Sequence, residues 1–181
     1  MRLFMSNFSD AIETLLHDEG GYAPEDNGRG PVNMGITQAT LDAFWKQEPA
    51  KCQALGLPRQ VEALTAALST AFYRAFFWDA YSFGLLASQR VAEILFSLAV
   101  NQGPGWAMRH AKRALAAAGL SAEGAAGVAV ALNGLGENTA IAEIFASAME
   151  RYRDLAAKNP SRYADDLPGW ERRLRNLCGI T

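Results

Sequence analysis

The chain has 181 residues, half of them hydrophobic, which is enough for one substantial core or two smaller ones that share an interface. Its 17 basic and 19 acidic side chains give a formal net charge of −2, and this balance argues against nucleic acid as a partner. Cys52 and Cys178 are too few and too far apart for a disulfide framework, and no histidine spacing resembles a metal site, so we expect no metal.

The first predicted element is a helix over about residues 7–19. Phe8, Ile12 and Leu15 recur at helical spacing, and Gly20-Gly21 stops the pattern. No apolar run before this helix is long enough for a secretory signal, and no later window approaches the roughly 18 apolar residues of a membrane-spanning helix. We therefore expect synthesis in the cytoplasm without a signal peptide, and no stable membrane insertion.

Residues 20–37 form a long irregular segment rich in Gly, Pro, Asn and Asp. This composition predicts turns and two short strands around Gly28-Arg29-Gly30-Pro31. Beyond this segment the pattern is helical nearly to the end, with Pro and Gly between successive helices. The predicted helices span about 38–47, 59–79, 88–101, 104–118, 125–133, 137–158 and 167–177. The sequence thus predicts a mainly α fold with a small loop and β-hairpin segment near residues 20–37.

Glu19 continues the apolar stripe of the first helix, because it follows Leu15 by one helical turn. A carboxyl group half withdrawn from water has a raised pKa and can hold a proton near neutrality, as a general acid must. The Gly-Gly-Tyr sequence and polar turns that follow favour a substrate-facing wall beside it. The alternative is a glutamate at a helix end that points into solvent, and both interpretations stay open.

Asp26 lies within the irregular segment and is a candidate second carboxylate. Glycoside hydrolysis commonly needs two carboxyl groups, one to protonate the leaving oxygen and one to direct water or to stabilise positive charge on the sugar. The alternative is an ordinary turn residue, because Asn27-Gly28 follows it directly.

Several motifs resemble the glycoside hydrolase 108 family. The run Leu16-His17-Asp18-Glu19-Gly20-Gly21-Tyr22, then Asp26-Asn27-Gly28, then Asn33-Met34-Gly35-Ile36-Thr37, is similar in order and spacing to the N-terminal signature of that family. Tyr73-Arg74 through Phe77-Trp78-Asp79 is similar to a later family segment. Ala99-Val100-Asn101-Gln102-Gly103 and Leu167-Pro168-Gly169-Trp170 resemble the opening and close of a predicted peptidoglycan-binding region.

The resemblance implies a lysozyme-like helical fold that hydrolyses the β-1,4 bond between N-acetylmuramic acid and N-acetylglucosamine of peptidoglycan. It implies that Glu19 is the catalytic acid, that Asn33 belongs to the substrate site, and that no cofactor is needed. It also implies an N-terminal catalytic lobe over 1–88 and a helical peptidoglycan-binding lobe over 89–181, packed as one compact unit. Family members include phage endolysins and bacterial muramidases that help release secreted proteins.

Two positions depart from the family pattern. Val32 stands where a threonine is expected, and a valine cannot hydrogen-bond or position a water. In the second lobe the expected Asp-Gly motif reads Ala122-Glu123-Gly124. The first departure bears on catalysis and the second on recognition of the wall.

Aromatic and amide side chains supply candidates for sugar binding. Tyr22, beside Glu19, can cover the apolar face of a sugar ring and donate a hydrogen bond. Trp78 is a second candidate, although a tryptophan at helical spacing more often lies in a core. Asn101 can bind an acetamido group or act as a capping amide, and neither interpretation is favoured.

The leading functional hypothesis is an active muramidase, either a phage endolysin or an enzyme that aids lysis or protein release. It would work as a monomer in the periplasm or cell wall, after export or release through a holin. The alternative is a catalytically impaired module that binds peptidoglycan or acts as an adaptor. A helical regulatory protein is the third hypothesis, and no basic recognition helix supports it.

Overall fold

The computed structural model describes residues 5–17, 21–25 and 30–180. Within these residues helices dominate, and a single two-stranded antiparallel sheet lies inside the segment 20–37. The prediction of a mainly α fold with a small hairpin near residues 20–37 is confirmed. No helix in the described part of the chain is both long enough and apolar enough to cross a membrane.

The chain divides into two compact units. The first unit is Phe8–Asp79, and the second unit comprises Met1–Asn7 with Ala80–Thr181, of which residues 5–7 and 80–180 are described. The assignment of a catalytic role to the lobe 1–88 and a binding role to the lobe 89–181 stays a prediction.

The first unit contains four described α-helices and both strands. In chain order they are α1 (Phe8–His17), β1 (Val32–Asn33), β2 (Ile36–Thr37), α2 (Gln38–Gln47), α3 (Pro49–Ala54) and α4 (Ala66–Tyr73). A 3-10 turn at Val61–Ala63 precedes α4, and a π-helical turn at Arg74–Trp78 continues it. The second unit contains a 3-10 turn at Phe83–Leu85 and the helices α5 (Gln89–Gln102), α6 (Pro104–Ala117), α7 (Gly124–Leu132), α8 (Glu137–Lys158), α9 (Pro160–Tyr163) and α10 (Leu167–Cys178).

Helix α1 is amphipathic, as predicted. Phe8, Ala11, Ile12 and Leu15 are buried at successive helical positions, whereas Glu13 is exposed. The described helix Phe8–His17 falls within the predicted span 7–19. The apolar face of α1 therefore packs against the core of the first unit.

The core of the first unit is built on phenylalanines from α2, α4 and the π-helical turn. The Phe44 ring lies 5.1 Å from that of Phe72, edge to face, and 4.5 Å from that of Phe76. The π-helical turn is tied to α3, since Lys51 Nζ donates to the carbonyl of Ala75 at 2.9 Å and lies over the Phe76 ring. The turn is therefore held by polar contacts as well as by packing.

The prediction of one helix over 59–79 was wrong at its N-terminal end. Leu64 is extended, and Thr65 caps α4 by accepting a hydrogen bond from the Leu68 amide at 3.3 Å. The apolar periodicity runs on from the 3-10 turn into α4, so it predicts one helix. The cap at Thr65 starts a new helix within that pattern. The short helices α3 and α9 were not predicted. Each begins at a proline, and proline interrupts a helical pattern in the sequence although it suits the first position of a helix.

The helices of the second unit approach closely because small side chains line their contacts. Helix α6 packs on α5 and α8, and α8 also packs on α10. Fully buried alanines lie on the packed faces, among them Ala99, Ala107, Ala111, Ala114 and Ala148. The prediction of helices at 88–101, 104–118, 125–133, 137–158 and 167–177 is confirmed to within two residues at each end.

A buried histidine joins α6 to α8 in this unit. His110 is 1% exposed; its Nε2 donates to Gln102 Oε1 at 3.0 Å, and its Nδ1 accepts from the Ser147 hydroxyl at 2.8 Å. These contacts satisfy both nitrogens of a neutral imidazole. A second ring proton would have to displace the Ser147 hydroxyl hydrogen.

Burial, together with the positive charges of Arg151, Arg113 and Arg109, lowers the pKa of His110 to about 4. The unfolded chain, with an ordinary histidine pKa near 6.5, takes up this proton first as the pH falls. Stability from neutral His110 is thus complete above about pH 6.5 and lost towards pH 4. We expect acidification from pH 7 to 4.5 to cost wild type about 2–3 kcal/mol more than His110→Gln, measured by denaturant unfolding. Equal losses in both proteins would contradict a neutral buried imidazole.

Candidate functional site

The hairpin of the first unit is short and tightly turned. Val32 pairs with Thr37 and Asn33 with Ile36, and the two residues of the turn have left-handed backbones, with φ of 49° at Met34 and 75° at Gly35. Two consecutive residues of positive φ match the twist of paired strands, which explains the glycine at the second position. The hairpin therefore has one defined register.

A third segment extends this ladder. The Ala23 amide donates to the Val32 carbonyl at 2.8 Å, and the Val32 amide donates to the Ala23 carbonyl at 2.9 Å. The Gly30 amide donates to Glu25 Oε1 at 3.2 Å. Residues 21–25 and 30–37 thus form one hydrogen-bonded surface, which we call the hairpin wall.

Two buried side chains attach the hairpin wall to the rest of the first unit. Asn33 is 3% exposed, and its Nδ2 donates to the carbonyls of Val61 at 2.8 Å and Leu64 at 3.1 Å. The Tyr73 hydroxyl donates to the Met34 carbonyl at 2.9 Å. Both side chains hold the end of the hairpin where the chain reverses. Asn33 ties it to the 3-10 turn before α4, and Tyr73 ties it to α4 itself.

The other end of the hairpin leads directly into α2. Thr37 caps this helix, with its hydroxyl accepting a hydrogen bond from the Thr40 amide at 3.1 Å. The Gln38 amide group then bridges to the segment before α4, donating to the Arg59 carbonyl and accepting from the Val61 amide. The wall is therefore held at both ends by specific hydrogen bonds.

The two candidate carboxylates, Glu19 and Asp26, lie outside the described residues. In sequence, Glu19 stands two residues after the end of α1 and two before the start of the hairpin wall, and Asp26 stands within the wall's connecting loop. Tyr22 belongs to the described part of the wall and is 43% exposed. Of the predicted substrate residues, Tyr22 is thus the one whose ring is exposed to solvent, and it follows Glu19 by three residues in the sequence.

Asn33 and Trp78 are buried, unlike Tyr22. Trp78 is 4% exposed and packs edge to face on Phe8, with 5.6 Å between ring centroids. Asn33 directs its amide nitrogen to backbone carbonyls rather than to solvent. The structure gives both side chains positions in the core, and their assignment to substrate binding stays a prediction.

Asn101 lies near the end of α5, in the second unit. Its amide nitrogen donates to the Ser97 carbonyl at 2.9 Å, and its oxygen accepts from Arg173 Nη1 at 2.8 Å. Both halves of the amide thus have partners within the second unit, as a capping or bridging role requires. A role in binding an acetamido group stays a prediction.

Tyr73 and Gln38 were not singled out from the sequence as site residues. Tyr73 lies in an apolar helical pattern and is indistinguishable there from a core phenylalanine, because only the fold shows what its hydroxyl meets. Gln38 is the first residue of α2, a position where a polar side chain is expected to face solvent. The sequence Asn33-Met34-Gly35 was the one signal that pointed to such a partner. It predicts a tight turn, and the Met34 carbonyl in this turn accepts its hydrogen bond from a side chain elsewhere in the chain.

Neither cysteine pairing nor metal ligation is part of the site as described. Cys52 and Cys178 are buried free thiols, and burial raises the pKa of each. Within residues 5–17, 21–25 and 30–180, no three His, Cys, Asp or Glu side chains are grouped so that they could hold a metal ion.

Comparisons with known proteins identify a matching family and a solved structure of similar fold. The model of the family described as Glycosyl hydrolase 108 matches residues 12–103. The structure of Brucella abortus SagA matches with a TM-score of 0.66, over 94% of this chain and 95% of that chain, at 21% sequence identity. At that identity the likeness establishes a shared fold. Among proteins with curated descriptions, none matches this chain.

Proposed function

Because this chain belongs to the glycosyl hydrolase 108 family, we propose that it is a peptidoglycan hydrolase with N-acetylmuramidase activity. It has the mainly α, lysozyme-like fold that the family resemblance implies. The proposed reaction is hydrolysis of the β-1,4 bond between N-acetylmuramic acid and N-acetylglucosamine. The observation that carries the proposal is the family match over residues 12–103, which contains Glu19, Asp26 and the whole hairpin wall.

In the proposed mechanism Glu19 protonates the glycosidic oxygen as the bond breaks. Asp26 is the second carboxylate, which either directs a water or stabilises the positive charge that develops on the sugar. Tyr22 covers an apolar sugar face with its exposed ring. The anchored hairpin wall supports this arrangement, because a wall fixed at both ends holds the sugar in one position relative to the acid.

We place the activity at the bacterial cell wall, which the chain would reach by export or through a holin. Both a phage lysis enzyme and a bacterial muramidase that aids protein release fit this placement. Neither setting requires a cofactor.

The test is the chemistry of the products released from purified sacculi. We expect wild type to release muropeptides that end in reducing N-acetylmuramic acid, identified by mass spectrometry after borohydride reduction. Products with reducing N-acetylglucosamine would contradict the proposed bond. The anomeric form of the first products, followed by NMR, distinguishes direct attack by water from a covalent intermediate.

A second candidate function is a wall-binding or adaptor module without catalysis, and Val32 is the observation that favours it. The backbone of Val32 pairs with both Ala23 and Thr37, and its half-buried side chain offers no hydroxyl to the wall. If sacculi stay intact with wild type while a control lysozyme digests them, Val32→Thr is the variant to test. Gain of product release by that variant would assign the missing activity to this one side chain.

A further inference from the structure

Two arginine side chains stack on one indole ring in the second unit. On α6, the guanidinium carbon of Arg109 lies 4.2 Å from the centroid of the Trp106 ring, and that of Arg151, on α8, lies 3.6 Å from it. Guanidinium groups stack on indole rings through cation–π attraction. The cluster of Trp106, Arg109 and Arg151, which we call the arginine–indole cluster, thus brings two positive charges to one aromatic side chain.

Two cations on the same helices pair with carboxylates, whereas the two arginines of the cluster do not. Lys112 pairs with Glu123 at 2.9 Å, and Arg153 pairs with Glu171 at 2.8 Å. In the described residues neither Arg109 nor Arg151 takes part in an ion pair. The Nε atom of Arg151 is buried without a hydrogen-bond partner. The described residues therefore supply no anionic partner for either guanidinium group and no acceptor for the Nε of Arg151.

A neutral histidine lies next to the cluster. His110, which lies 6.0 Å from Trp106 between ring centroids, has both nitrogens engaged by Ser147 and Gln102. Burial and the charge of Arg109 lower the pKa of Arg151, the direction expected when like charges are held close together. An anion bound beside the two guanidinium groups would offset this repulsion.

We propose that Trp106, Arg109 and Arg151 form a binding site for carboxylate groups of peptidoglycan. Planar guanidinium groups form paired hydrogen bonds with carboxylates, and the indole supplies an apolar surface beside them. The free carboxylates of the stem peptides carry this chemistry. The choice of peptidoglycan as their source rests on the proposed function, whereas the preference for an oxyanion rests on the cluster alone.

The test measures binding separately from hydrolysis. Full-length protein is pelleted at 4 °C with sacculi free of teichoic acid, with the same sacculi after amidation of their carboxyl groups, and with anionic phospholipid vesicles. We expect the double variant Arg109→Gln, Arg151→Gln to bind unmodified sacculi about tenfold more weakly than wild type. Wild type should bind amidated sacculi about as much more weakly than unmodified ones. The double variant should bind the two kinds of sacculi nearly equally.

The matched control is Lys112→Gln combined with Arg153→Gln. It removes the same two charges from the same two helices, but from cations that already have carboxylate partners. We expect it to bind sacculi nearly as wild type does. Arg109→Lys with Arg151→Lys, which keeps the charges and loses the planar groups, should fall between the two. Unfolding midpoints measured for every variant separate weaker binding from misfolding.

Equal loss in the double variant and the charge-matched control, with both folded, would overturn the site. Binding to vesicles but not to sacculi would overturn the assignment to carboxylates of peptidoglycan. Release of muramic acid products together with unchanged binding by the double variant would overturn this inference and leave the proposed function intact. Weaker binding of the double variant, without any product release from wild type, would support this inference and contradict the proposed function.

Discussion

Replacement of Glu19 by glutamine is expected to reduce kcat/KM on purified sacculi by a factor of about a hundred to ten thousand. Glutamine has nearly the size of glutamate but no proton to give to the leaving oxygen. Binding to sacculi should persist, because the substitution keeps the hydrogen-bonding shape of the side chain. The measurement is the initial rate of appearance of reducing muropeptide ends for wild type and variant at equal concentrations.

The control for this prediction is Glu13→Gln. Glu13 lies on α1, one and a half turns before the end of the predicted helix, and its side chain is exposed. Loss of its charge should leave the rate within about threefold of wild type, since this exposed side chain takes no part in the proposed mechanism. A rate of the Glu19 variant close to that of this control would refute Glu19 as the acid, even if wild type proves to be a muramidase.

The second large effect concerns the anchor of the hairpin wall. Asn33→Asp is expected to destabilise the protein by about 3 kcal/mol or more at neutral pH. The change keeps the size of the side chain but replaces its amide group, which donates to the carbonyls of Val61 and Leu64, with a carboxylate that faces those oxygens. Denaturant unfolding of wild type and variant measures the difference.

The pH dependence identifies the cause of this loss. Burial beside two carbonyl oxygens would raise the pKa of the introduced carboxyl group above its unfolded value, so the penalty should grow as the pH rises through that unfolded value, near 3.9. The difference from wild type should therefore shrink on acidification. Gln47→Glu makes the same amide-to-acid change at an exposed position of α2 and should cost no more than about 0.5 kcal/mol.

The same variant separates the two roles considered for Asn33. A structural anchor requires loss of stability, and any loss of activity should accompany a less stable wall. If Asn33 instead contacted substrate, the variant would lose activity at an unchanged unfolding midpoint.

Much of the fold could be predicted from the sequence because its signals are local. Helical spacing of apolar residues located α1 and the long helices of the second unit, and the change in composition located the hairpin segment. These patterns depend on side chains within a few turns of one another, where the helical period decides which face is buried. The break before α4 was missed because the Thr65 cap competes with an apolar pattern that continues across it.

The sequence by itself indicated the family, the candidate acid Glu19 and the candidate sugar-binding residue Tyr22, because motif order and spacing are properties of the chain. Only the tertiary structure decided that Asn33 and Trp78 are buried, that Tyr73 holds the hairpin turn, and that Arg109 and Arg151 meet at Trp106. The physical reason is distance along the chain: Tyr73 meets a residue 39 positions away, and Arg151 reaches a ring on another helix. Partners so remote are selected by helix packing, and packing leaves no periodic signature in the sequence.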